Sequence, residues 1–295
     1  MKRILRSLLR RPRPSPRHSS DSLELRFALN EISEMRQQLR MLLAASPDFK
    51  AQMDQTYESF DTQWDVLPSG EQLLGSESFD RECVNLLEKY TGMPSDWFMG
   101  KKVLDAGAGN GRWSYTLSKL GAHVTAVDQS AAGIADVERV CAGFENFKAL
   151  RQDLLEPLPF IDQFDAVWSF GVVHHTGDTR QALYNICQAL KPEGYLFAMV
   201  YGEPRPGRDG EFAEINSYVE LRREIAGMTP RERIEYLRAR FPEDQINAWF
   251  DGLSPKINDL HRFDEIREWL RTWGFSDIVR TFDNRNIFLR AIRRR

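Results

Sequence analysis

The sequence predicts an α/β fold, a mostly parallel sheet with helices on both faces. Residues 101–111, Lys-Lys-Val-Leu-Asp-Ala-Gly-Ala-Gly-Asn-Gly, carry the first observation: an apolar strand ends in Asp105 and runs into Gly107, Gly109 and Gly111. A helix over 112–120 follows at once, then a strand over 123–127 that ends in Asp128. Glycine suits backbone that turns with φ > 0 or comes too close to a ligand for a Cβ. An acid after the second strand can accept hydrogen bonds from a ribose diol. The second observation is alternation. A helix over 131–141 leads to a short strand over 148–151, followed by Gln152-Asp153-Leu154. An apolar run then ends at Phe170, and a helix is expected over 179–190. Lys191-Pro192-Glu193-Gly194 stops that helix, and the apolar run up to Tyr201 reads as a buried fifth strand. The third observation lies near the end: a helix over 263–273, a stop at Gly274-Phe275, and a strand pair over 277–281 and 286–291.

Glycine spacing separates two nucleotide sites. Dinucleotide sites use G-x-G-x-x-G, but counting from Gly107 this chain has Arg112 where the third glycine belongs. That disfavours a nicotinamide oxidoreductase. The pattern present, D-x-G-x-G-x-G, resembles motif I of the class I S-adenosylmethionine-dependent methyltransferases. The segment 163–178, containing Phe-Asp-Ala-Val-Trp-Ser-Phe-Gly-Val-Val-His-His, is similar to that family's fourth-strand motif. The resemblance covers about residues 100–292 and implies a Rossmann-like seven-stranded sheet with S-adenosyl-L-methionine as cofactor. It further implies that Asp105 and the loop of Gly107, Gly109 and Gly111 hold the methionine moiety. Asp128 would hold the ribose, and Asp153 would accept from the exocyclic amine of the adenine. Gln129, Leu154 and Phe170 are expected in the cofactor site beside these positions.

His174 and His175 follow the fourth strand, where acceptors approach the methyl group in this fold. Histidine can take a hydroxyl proton near neutral pH. Neighbouring histidines usually point different ways, so one is expected to face the pocket; a packing role for both is the plain alternative. Arg112, Tyr201 and His261 are secondary candidates for acceptor binding, although Arg112 could only cap the loop and His261 only start the last helix. No Cys/His/Asp/Glu grouping has metal-ligand spacing, so no metal is expected.

Composition agrees with an ordinary enzyme: 295 residues, 42% hydrophobic, net charge −3. Such a charge does not favour nucleic acid. Cys83, Cys141 and Cys187 stand far apart, as reduced thiols do in a cytoplasmic protein. No apolar run approaches the ~18–20 residues that span a bilayer. Residues 1–20 contain seven cations and no acid, which leaves −10 for the remainder. Ile4, Leu5, Leu8 and Leu9 make residues 1–11 a basic amphipathic segment able to lie on the anionic inner membrane surface. An organelle presequence and a passive tail are the other readings. In 21–46 the positions Leu25, Ala28, Ile32, Met35, Leu39 and Leu42 form an a/d seam, expected to serve a homo-oligomer or another partner, with packing on the parent domain as the alternative.

Residues 47–99 should form a cap, in which Tyr57, Phe60 and Trp64 either pack on the sheet or close over the cofactor. The core is expected over 100–202 and 261–295. Between them, 203–260 reads as a helical insertion on the acceptor side, with a hinge-like 202–210 and helices over 211–226 and 229–240. Thr229, Pro230 and Glu232 form an N-terminal capping signature. The run Ser254-Pro-Lys-Ile-Asn-Asp-Leu-His261 and the helix after it are similar to a closing motif in methyltransferases encoded with bacterial surface-glycan genes. The function expected is O-methylation of a small-molecule or glycan-type acceptor. A tRNA or protein methyltransferase, with a basic patch in 222–240, is one alternative. A non-catalytic scaffold at a membrane is another.

Overall fold

The computed structural model describes residues 46–67 and 74–294, with Glu31, Met35 and Gln38 upstream in helical conformation. The basic tail 1–20 and nearly all of the heptad stretch 21–46 lie outside the described residues. The unit Ala44–Arg295 is built on one seven-stranded sheet of order β3-β2-β1-β4-β5-β7-β6. Its strands are β1 (Lys102–Ala106), β2 (His123–Asp128), β3 (Phe147–Arg151), β4 (Phe164–Phe170), β5 (Leu190–Val200), β6 (Phe275–Phe282) and β7 (Ile287–Arg293). The first five pair in parallel, and β7 runs antiparallel between β5 and β6. Strand order reverses between β1 and β4, the point where open α/β sheets bind ligands beyond their carboxyl ends.

Helices cover both faces because the central strands are apolar on both. On one face Leu104, Val167, Leu183, Ile186, Leu196 and Leu270 share a core with α5 (Thr179–Gln188) and α9 (Phe263–Thr272). On the other, Val103, Trp168 and Phe197 pack on Leu87, Phe98, Trp113 and Leu117. These come from α2 (Glu77–Thr91), the 3-10 turn Ser95–Phe98 and α3 (Arg112–Lys119). The remaining core helix, α4 (Ala131–Val140), is capped by Ser130, whose Oγ accepts the Gly133 N–H at 3.1 Å.

The cap begins with α1 (Pro47–Val66), one long helix that contains Tyr57, Phe60 and Trp64. After β5 the insertion folds as three helices around its own core of Ile225, Ile234, Leu237, Ile246 and Phe250. These are α6 (Asp209–Glu224), α7 (Pro230–Arg238) and α8 (Glu243–Leu253). The Thr229–Glu232 capping box forms as the sequence predicts. Helix α8 is not among the helices the sequence predicts, although Ile246, Trp249, Phe250 and Leu253 carry its spacing. The run 202–210, expected as a hinge, is tied down: Arg205 pairs with both Glu211 and Asp283, and Arg208 with Asp283.

Gly111 shows what the glycine loop needs locally. Its φ is +84°, and an added Cβ would lie 2.7 Å from Val140 Cγ2 and 3.1 Å from Val137 Cα. The third glycine of the motif therefore lets α4 pack tightly on the loop. Gly111→Ala should lower unfolding stability by about 2–4 kcal/mol, from the positive φ and from overpacking. Urea denaturation measures this; a loss of less than about 0.5 kcal/mol, the size of a neutral surface change, would contradict the packing.

Candidate active site

Two carboxylates stand at the ends of adjacent strands. Asp128, at the end of β2, accepts the Gly109 N–H through Oδ2 at 2.9 Å and the Ser130 N–H through Oδ1 at 2.8 Å. It thereby ties the glycine loop to the start of α4. Its burial pushes the pKa up, against the pull of these backbone donors. Asp105, on β1, is buried and accepts the Ser114 hydroxyl at 2.7 Å. Burial raises its pKa to about 7, and Ser114 offsets only part of that rise. Asp153, after β3, receives the Leu155 N–H at 2.9 Å through Oδ1.

The space over the loop is lined by two side chains. A Cβ at Gly107 would lie 2.3 Å from Val172 Cγ1, and one at Gly109 would lie 2.8 Å from Trp64 Cζ2. Trp64 is brought there by α1, where Asp61 accepts the Ser130 hydroxyl at 2.5 Å. The same helix places Phe60 edge-on to His175, with ring centroids 5.0 Å apart. Nothing in the sequence singles out Asp61 and Ser130; 69 residues separate them, and only the fold joins them.

The residues fit S-adenosyl-L-methionine. A carboxylate can accept about four hydrogen bonds, so Asp128 keeps acceptor sites for hydroxyls beside its two N–H donors. Asp105 is a buried acid whose other acting neighbour is the carboxylate of Asp128, a setting completed by a cationic ligand. The loop between them carries no Cβ at Gly107 or Gly109, where Val172 and Trp64 pack against the bare backbone.

His174 and His175 form the 3-10 turn Val173–His175 directly after β4, and both are buried. Their rings lie 4.1 Å apart with planes inclined at 50°. What differs is their bonding. The Nδ1–H of His175 donates to the Ile257 carbonyl at 2.9 Å, which leaves Nε2 as a lone-pair acceptor, and this atom is buried without a partner. His174 stacks on Tyr201 at 3.8 Å and takes the Tyr201 N–H on Nδ1 at 3.4 Å. Burial holds both imidazoles neutral, His175 at a pKa of about 4, with the positive charge of Arg222 adding to the effect.

The return limb of the insertion fixes this turn. Asp259 N–H donates to the His174 carbonyl at 2.9 Å, while Ile257 N–H and Lys256 N–H both donate to Thr56 Oγ1 on α1. Ser254 joins Arg233 to Ser59 by hydrogen bonds. Tyr201 donates its hydroxyl to Asp251 at 2.9 Å, and burial raises the Asp251 pKa to about 6.

The other sequence candidates have the following surroundings. Phe170 stacks within an aromatic cluster with Trp168, Tyr90, Trp113 and Phe288. Leu154 is part of the core, and its carbonyl accepts from Asn185. Gln129 offers its carbonyl to Arg151. Arg112 lies over the Trp113 ring at 4.4 Å, facing Cys83 and Tyr90 and not Tyr201. His261 is buried between Thr179 and Glu265 at 2.9 and 3.1 Å, where it anchors the start of α9. No group of three or more His, Cys, Asp or Glu able to hold a metal occurs among the described residues. No helix among them is long and apolar enough to cross a membrane.

Fold and site together define the class: a nucleoside-cofactor enzyme built on the methyltransferase variant of the Rossmann-like sheet. Residues 104–198 match the family model for the methyltransferase domain. The chain is 31% identical over 186 residues to a demethylmenaquinone methyltransferase from Tropheryma whipplei, covering 60% of this chain and 67% of that one. It is 32% identical over 165 residues to a ubiquinone biosynthesis O-methyltransferase from Pseudomonas syringae pv. tomato, covering 55% and 67%. Against other ubiquinone biosynthesis O-methyltransferases the chain spans only 37–48% of their length. In fold it is similar to the 1,6-didemethyltoxoflavin-N1-methyltransferase of Burkholderia thailandensis, with TM-score 0.51 and 18% identity over 85% of this chain and 92% of that one. The chain belongs to the class I S-adenosylmethionine-dependent methyltransferases, and its cofactor is S-adenosyl-L-methionine.

The buried acid at Asp105 makes cofactor-free stability pH-dependent. Its folded pKa of about 7 lies above the unfolded value of about 3.9. The folded state thus holds the extra proton between about pH 4 and 7, and stability falls as pH rises through that window. Asp105→Asn should flatten this slope. Between pH 5 and pH 8, denaturation of the parent should show a stability loss larger than that of Asp105→Asn by on the order of 1 kcal/mol or more; parallel slopes would contradict the assignment.

Proposed function

We propose that this methyltransferase acts on the hydroxyl of a small molecule, with His175 as the general base. The observation that carries the reading is His175 Nε2: an unpartnered, buried acceptor at the carboxyl end of β4, its tautomer set by Ile257. A base so placed is needed for an oxygen acceptor and would be superfluous for one that loses no proton. The names of the relatives, in ubiquinone biosynthesis and demethylmenaquinone methylation, favour a small molecule over a polymer. A glycan-type acceptor rests only on the short likeness at 254–261.

In this reading Asp128 accepts the ribose hydroxyls, Asp153 accepts from the adenine amine, and Asp105 faces the cationic end of the methionine moiety. When bound, the cofactor supplies a methyl group on a sulfonium that is already activated. The protein's share is alignment and exclusion of water. Phe60 and Trp64 on α1 cover the loop and the His175 ring, and the return limb 254–261 closes the other side. His175 Nε2 takes the acceptor's hydroxyl proton, and the imidazolium returns it to solvent after product leaves. Because burial keeps His175 neutral, the base form persists well below pH 6. Peripheral membrane contact through residues 1–11 and self-association through 25–42 remain separate proposals about segments that, but for Glu31, Met35 and Gln38, lie outside the described residues.

His175→Gln should lower kcat by about 10²-fold or more in an assay of S-adenosylhomocysteine release with phenolic acceptors. Affinity for S-adenosylhomocysteine should change by less than about twofold, roughly 0.4 kcal/mol. Undiminished kcat would remove His175 from the chemistry.

A further inference from the structure

Between β5, the insertion and the β6–β7 turn lies a cavity of about 150 Å³, with Tyr201, Tyr218, Glu214, Arg222, Asn258 and Arg285 among its lining residues. Two features set it apart from an ordinary packing gap. The first is cationic. Arg222 donates to the Gly252 carbonyl at 2.5 Å, no carboxylate among the described residues pairs with it, and its Nε is buried without a partner. Arg285 is 8% exposed; it donates to the Gly202 carbonyl and to Glu214, and its Nε is also unpartnered. Glu214 is the half-exposed partner of Arg285, its side chain 46% accessible, and Asp251 behind Tyr201 is engaged by the tyrosine hydroxyl, so Arg222 is the cation of the lining left without a carboxylate among the described residues. The second is proximity to the proposed base. Tyr201 lines the cavity, stacks on His174 and meets the His175 ring edge-on with centroids 5.3 Å apart.

We infer that this cavity holds the methyl acceptor by a carboxylate, and that the acceptor is a small ring compound bearing both a carboxylate and a hydroxyl. The inference rests on the O-methylation reading and specifies its substrate class. Arg222 is half-buried with its Nε shut off from solvent, and an arginine held so without a counter-ion is costly; a ligand carboxylate supplies the missing charge with paired N–H donors. Glu214 already offsets one of the two arginines, so a single negative charge suits the site better than a doubly charged phosphate. A volume of about 150 Å³ is that of a cavity known to accept a benzene-sized ring, and Tyr201 and Tyr218 offer the aromatic walls. Asn258 gives its amide N–H to Pro255 and keeps Oδ1 unpartnered, an acceptor for a ligand hydroxyl.

Calorimetric titration of the full chain with 3-hydroxybenzoate and with neutral 3-hydroxybenzamide, each with and without S-adenosylhomocysteine, tests this. The acid should bind at least tenfold more tightly than the amide. Arg222→Gln should abolish that preference and leave S-adenosylhomocysteine affinity unchanged, with Arg222→Lys restoring part of it. Glu214→Gln frees Arg285 of its counter-ion and should tighten 3-hydroxybenzoate severalfold, an effect a merely structural arginine would not produce. Equal binding of acid and amide, or an acid preference that survives Arg222→Gln, overturns the inference while cofactor binding upholds the methyltransferase reading. Preference for the acid in a protein that ignores S-adenosylhomocysteine does the reverse: it upholds the anion site and removes the reading on which its substrate role rests.

Discussion

The carboxylate of Asp128 is the joint on which the rest of the site hangs. It receives N–H donors from Gly109 and Ser130, so one side chain fixes both the glycine loop and the start of α4. Hydrogen bonds to a charged acceptor contribute about 1.5–3 kcal/mol each, enough to hold a loop that glycine alone would leave loose. Ser130 carries the constraint outward. Its Oγ accepts from Gly133 to cap α4 and donates to Asp61, which sets α1 and lays Trp64 against Gly109. The strand ends, the loop and the cap are thereby one hydrogen-bonded unit.

A second unit meets the first at the histidine turn. The insertion leaves β5 at Tyr201 and returns through 254–261, and its two ends are bridged at Gly202 and His261. On the way back it takes the His175 Nδ1–H on Ile257 and gives the Asp259 N–H to His174. The same limb is clamped by Thr56 and Ser59 of α1. Cap and insertion thus press on the turn from two sides. The turn is buried and neutral because of that enclosure, not because of anything in the pair of histidines itself.

Local features are legible in the sequence, and features made by packing are not. Asp105, Gly107, Gly109 and Asp128 fall within one βαβ unit, so strand endings and glycine spacing reveal them directly. The seven strands follow for the same reason, with ends that shift by a few residues. Helix α8 has the right apolar spacing but opens on Pro242, Glu243 and Asp244 with no side-chain cap, so its start carries no capping signature of the kind that marks Thr229. For Phe170 the chain position suggests the cofactor site, and strand alternation puts its ring on the Trp113–Trp168 side of the sheet. Arg222, Asp251 and Arg285 carry no motif at all. They come from α6, α8 and the β6–β7 turn, and only the folded insertion brings them to Tyr201 and the histidines. The basic run at 222–240 signals charge, and the structure shows that Arg222 turns inward while Arg231 and Arg238 pair on the surface.

The central claim is that Asp128 joins loop, cap and cofactor, and one titration tests it most directly. S-adenosylhomocysteine should bind the full chain with micromolar affinity, about −8 kcal/mol, and quench Trp64 fluorescence relative to a Trp64→Phe protein. Asp128→Ala should lose at least a hundredfold in affinity while keeping the far-ultraviolet spectrum of the parent. Equal affinity in parent and Asp128→Ala would contradict the account at its root.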